Sequence, residues 1–62
     1  MMKHKFTFDH IYNNWEIKTN GFRYQIMNAY CVITDTDGRL LEVEEFNTTA
    51  QALETMEGRL NR

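Results

Sequence analysis

The chain has no serine, no proline, one cysteine and only three glycines in 62 residues. Without serine there is no serine nucleophile, and without proline there is no Pro-rich linker or tail. The lone Cys31 cannot close an intramolecular disulfide, and with only His4 and His10 for company it offers no zinc-ligand spacing. No apolar run is long enough for a signal peptide or a membrane span, and a lone free thiol without an export signal points to a reducing cytoplasm. A Gly-rich phosphate loop, a dinucleotide fingerprint and an internal repeat are likewise missing.

A chain of this length forms one domain, residues 1–62, and buries only about 60% of its unfolded surface. The usual staples for so small a core are absent, which leaves dense packing or pairing with a second copy. Eight aromatic residues supply large buried areas: Phe6, Phe8, Tyr12, Trp15, Phe22, Tyr24, Tyr30 and Phe46. The net charge of −2 selects no partner, but it is unevenly spread. In the first half Lys3, Lys5, Lys18 and Arg23 outnumber Asp9 and Glu16. In the second half Arg39, Arg59 and Arg62 face Asp35, Asp37, Glu42, Glu44, Glu45, Glu54 and Glu57. Such asymmetry can orient a partner, although solvated faces of a strand and a helix account for it as well.

Hydrophobic periodicity lays out the elements. "KHKFTF" alternates with period two and sets Phe6 and Phe8 on one face of a first strand, whose place at the edge or centre of a sheet stays open. "DHIYNN" breaks the alternation and ends in a turn at Asn13-Asn14. "WEIKTNGFRYQI" is a hairpin closed by a type I′ turn at Asn20-Gly21, with Thr19 opposite Phe22, Ile17 opposite Tyr24 and Trp15 opposite Ile26. "DTDGR" fits a type I turn with a glycine bulge at Gly38, which predicts Ile33 opposite Leu41 and Cys31 opposite Val43. Inward residues are then even-numbered up to Ile26 and odd-numbered from Cys31. A strand changes faces only by inserting a residue, so a bulge at Met27-Asn28 is expected within one long strand from Phe22 to Thr34; the alternative is a break into two strands.

Thr48 and Gln51 form a capping box at a helix start, with Asn47 a competing cap. Ala50, Leu53, Met56 and Leu60, with Ala52, give one apolar stripe, and Gly58 weakens the last turn. The fold class is α+β: an antiparallel meander of three to four strands with one C-terminal helix packed on one face. Its expected core is Phe8, Trp15, Ile17, Tyr24, Ile26, Cys31, Ile33, Leu41, Val43, Phe46, Leu53, Met56 and Leu60. The opposite face is left open, and in this register it brings together Tyr30, Val32 and Leu40 with a rim of Arg23, Glu42 and Glu44. An apolar patch with a charged rim suits a protein interface.

Catalytic sets fall away on geometry. Cys31 lies among inward-facing residues, where free cysteine serves as a small hydrophobe. Glu44 and Glu45 point to opposite faces of a strand and cannot act on one bond. "DTDG" resembles the start of a calcium loop but lacks the later ligands, including the distal Glu. No catalytic, cofactor or metal residues are assigned. Lys18, Arg23 and Tyr30 sketch a nucleic-acid surface, opposed by Glu16, Glu42 and Glu44 on the same face; acidic mimicry of nucleic acid finds equally thin support in a charge of −2. The expected function is that of a non-enzymatic interaction module or regulator. It would bind a larger protein through the open sheet face or an edge strand, the general character of short phage and mobile-element proteins. The alternative is a homodimeric structural or accessory protein. The Lys3-His4-Lys5 strand is a further candidate surface.

Overall fold

The structure, a computed structural model, describes residues 3–62. Five strands, β1 (Thr7–Asp9), β2 (Asn14–Thr19), β3 (Phe22–Met27), β4 (Tyr30–Asp35) and β5 (Leu40–Glu45), precede one helix, α1 (Thr49–Leu60). The strands pair in sequence order as a single antiparallel meander, so β1 and β5 are the edges. The α+β class and C-terminal helix match the sequence expectation, and the strand count exceeds the three to four expected. The first strand is short because residues 3–6 belong to no strand.

The β2–β3 hairpin has the predicted register, from Trp15 opposite Ile26 to Thr19 opposite Phe22. Asn20 and Gly21 take φ of 52° and 82°, the two positive values a type I′ turn requires. The bulge expected at Met27-Asn28 is absent. Met27 pairs directly with Tyr30, leaving a two-residue turn at Asn28-Ala29. Asn28 adopts φ 54°, a left-handed angle that asparagine tolerates without glycine. A two-residue turn pairs even-numbered residues with odd ones, so Ile26 meets Cys31 and Tyr24 meets Ile33 on one face. The change of parity is the hairpin itself.

The missing bulge lies farther on. The β4–β5 turn forms as expected, with Gly38 at φ 82° donating its amide to the Asp35 carbonyl at 3.0 Å. Asp35 also accepts the amides of Asp37 and Arg39 on its carboxylate, both at 2.9 Å. Thr34 then pairs with Leu40, but Ile33 pairs with Glu42, so Leu41 is an extra residue in β5. Beyond it Val32 faces Val43 and Cys31 faces Glu44. The expected pairs Ile33–Leu41 and Cys31–Val43 are therefore wrong by one residue. Leu41 and Val43 leave the core and stand 48% and 51% exposed.

α1 starts as its sequence demands. The Thr48 hydroxyl accepts the Gln51 amide at 3.0 Å, and Gln51 Oε1 accepts the Asn47 amide at 2.9 Å. The helix lies over β3 and β4. Phe6, Ile17, Ile26, Cys31, Ala52 and Met56 are buried, and Trp15, Tyr24, Ile33, Phe46, Leu53 and Leu60 pack around them half-buried. Phe8 is half-buried too, in edge-to-face contact with Trp15. Phe6 and Ala52 were not expected in the core. Phe6 gets there because Glu57 Oε2 accepts its amide at 2.8 Å and draws the segment before β1 against the helix end. Ala52 does so on the face of α1 that also buries Met56 against the sheet.

Candidate functional site

The face of the sheet opposite α1 is built by strand alternation. Across β4 and β5, Thr34 stands beside Leu40, Val32 beside Val43 and Tyr30 beside Glu45. Across β3 and β4, Arg23, Gln25 and Met27 continue those rows. Met27, Tyr30, Val32, Val43 and Leu40 thus form an apolar strip over the last three strands. Tyr30 is 44% and Leu40 59% exposed, and no element among the described residues covers them.

The predicted site is partly reassembled. Tyr30, Val32, Leu40 and Arg23 do share the open face. Glu42 and Glu44 do not: the extra residue at Leu41 turns both to the helix face, opposite Ile33 and Cys31. There Glu44 receives Arg59 in a two-pronged contact of 2.6 and 2.9 Å. The Arg59 hydrogen bond holds the Glu44 carboxyl below its ordinary range. Val43 and Glu45 take the vacated places on the open face. The cue was present in Leu40-Leu41, because adjacent residues of a regular strand point to opposite faces.

The cations of the open face are already engaged. Arg23 clasps Glu16 through Nε and Nη2, both at 3.0 Å, and Lys18 Nζ lies 3.6 Å from the same carboxylate. A phosphate would have to compete with Glu16 for both. At the end of the sheet, Lys18, Phe22, Arg23, Thr34 and Asp35 line a cleft of about 500 Å³ between the two glycine-containing turns. Cys31 is fully buried behind the sheet, and burial pushes its thiol up to about 11. Such a thiol stays protonated and weakly nucleophilic at neutral pH. Among the described residues no group of three or more His, Cys, Asp or Glu is placed to hold a metal ion, and no helix is long and apolar enough to cross a membrane.

A second exposed apolar feature escaped the sequence reading. The turn between β1 and β2 lifts Ile11, 87% exposed, and Tyr12 into solvent. Asp9 Oδ1 accepts the Ile11 and Tyr12 amides at 2.9 and 3.3 Å, and Asn13 closes the turn at φ 56°. Comparison of the chain with family models, curated proteins and solved structures finds no match.

Proposed function

We propose that this protein is a small, non-enzymatic interaction module that docks on a larger protein through the open face of β4 and β5. The observation that supports this reading is the apolar strip of Tyr30, Val32, Val43 and Leu40 beside an unpaired sheet edge. Burying any three of these four side chains is worth on the order of 3–6 kcal/mol before association entropy is set against it. Tyrosine supplies the anchor type that interfaces favour. A regulator of this kind, comparable in size to those of phages and mobile elements, would work in a reducing cytoplasm, where the lone Cys31 stays a thiol. The same strip suits a second copy of the chain, so oligomeric state belongs to the test.

The Tyr30→Ala, Leu40→Glu double variant is expected to keep its circular dichroism spectrum. It should lose whatever the parent shows: self-association by light scattering, or a partner captured by the parent. A folded double variant that associates and captures like the parent would remove the open face as the working surface.

A further inference from the structure

We infer that the outer edge of β5 accepts an extended segment of a partner protein as a sixth, antiparallel strand, and that this segment combines basic residues opposite the glutamates of β5 with apolar ones beside them. The inference rests on the interaction reading above and names the kind of partner it takes.

The backbone of β5 sets the geometry. Just past the strand, the Phe46 amide donates to the Ala29 carbonyl at 2.7 Å. Antiparallel ladders alternate bonded and non-bonded pairs, so two and four residues earlier Glu44 and Glu42 bond to Cys31 and Ile33. Val43 and Glu45 therefore turn their N–H and C=O groups away from β4, into the open edge. No strand among the described residues pairs with that edge. Strand addition at such an edge takes its affinity from main-chain hydrogen bonds and its specificity from the side chains on either side.

Those side chains choose the occupant. Glu42 and Glu44 lie on the helix face, and Val43 and Glu45 on the open face. The ion pairs among the described residues are Lys18–Glu16, Arg23–Glu16 and Arg59–Glu44, so neither Glu42 nor Glu45 makes an ion pair among them. The β5 edge of a second copy is the wrong chemistry for this edge. A two-fold pairing of β5 with itself, centred on Val43, sets Glu42 against Glu44 of the other copy; centred on Glu42 or Glu44, it sets like against like. Directly opposed like charges destabilise a strand pair. The hexapeptide Lys-Lys-Val-Lys-Val-Val, run antiparallel from Glu45, instead sets its first four residues opposite Glu45, Glu44, Val43 and Glu42, a cation for each carboxylate and valine for valine. Its last two valines lie along Leu41 and Leu40, where the extra residue ends one-to-one pairing.

The probe is that hexapeptide, capped at both ends and labelled for fluorescence anisotropy, titrated against the full chain. Binding that weakens with added salt is expected, with no binding of the mirror Glu-Glu-Val-Glu-Val-Val. Val43→Pro deletes an outward amide without touching a β4 bond, and proline is tolerated at such edge positions. Its circular dichroism should be unchanged while affinity falls by about tenfold or more, the loss of a backbone hydrogen bond together with the steric block. Should Val43→Pro fail to fold, the same peptide with N-methyl groups on its pairing amides makes the equivalent cut, and undiminished binding of that peptide overturns the inference. Equal binding by the acidic mirror, or no binding at millimolar peptide, also overturns it. If the peptide fails while Tyr30→Ala, Leu40→Glu still abolishes association, the edge is refuted and the open-face reading survives.

Discussion

Gly58 sits in the last turn of α1 with nothing within 4 Å of the position a Cβ would occupy. Its backbone is helical, so glycine contributes only flexibility to the unfolded chain. Gly58→Ala is therefore expected to stabilise the protein by about 0.5–1 kcal/mol, seen as a higher urea midpoint at unchanged slope. A lower midpoint would mean that the last turn is not helical in solution. The asparagines do the opposite work. Asn13, Asn20 and Asn28 each hold a positive φ at a chain reversal, a role that glycine fills only at Gly21 and Gly38. Asn61 is used twice over: its Oδ1 accepts the Lys3 and His4 amides, and its Nδ2 donates to the carbonyls of His4 and Glu57. One side chain thereby adds a second bond to the Glu57 carbonyl, which already accepts the Asn61 amide at 3.1 Å, and holds the described N-terminal residues beside the helix end.

Among elements, α1 carries the most informative correction. Its stripe is legible in sequence, but the residues fully buried are Ala52 and Met56, with Leu53 and Leu60 only half-buried. The helix is rotated so that its deepest contacts fall on β3 and β4. Met56→Ala should accordingly cost about 2–5 kcal/mol, and Leu53→Ala distinctly less, since a half-exposed site leaves less of a cavity. Thermal melts of the two variants side by side decide the matter, and a lower melting temperature for Leu53→Ala would place the helix in another rotation. β5 shows the converse case. Its alternation reads as a half-buried strand, yet one extra residue at Leu41 sends Val43 out and Glu42 and Glu44 in.

Over the whole molecule, the Glu44–Arg59 pair ties the edge strand to the helix across an otherwise uncovered stretch of sheet. The Arg59 hydrogen bond lowers the Glu44 carboxyl from its ordinary 4.5, so the folded state holds this group's proton less tightly than the unfolded state does. A lowered carboxylate contributes stability above its unfolded value and loses it as pH falls through the folded one. The contribution is thus present at neutral pH and fades from 4.5 downward. Both partners are solvent-accessible, so the effect is small. Glu44→Gln is expected to lower the melting temperature by about 1–4 °C at pH 7 and to converge with the parent in strong acid. An unchanged gap between parent and variant across that range would show that the pair adds nothing through its charge.

The sequence alone determined whatever depends on near neighbours along the chain. Asn20-Gly21 dictated its turn and register, "DTDG" its glycine bulge, Thr48 and Gln51 the helix start, and the two periodicities separated strands from helix. It also brought Tyr30, Val32, Leu40 and Arg23 to one face, because their alternation outlasts local errors of pairing. Left to the tertiary structure were the features set by competition between distant groups. Asn28 turns the chain, where a bulge was expected, because β4 gains a full ladder of hydrogen bonds with β3 by doubling back. Leu41 is the extra residue of β5, and beyond it Val43 leaves the helix face, over which α1 lies chiefly on β3 and β4. The price is a pair of inward glutamates, and Arg59, reaching across from the last turn of α1, neutralises one of them.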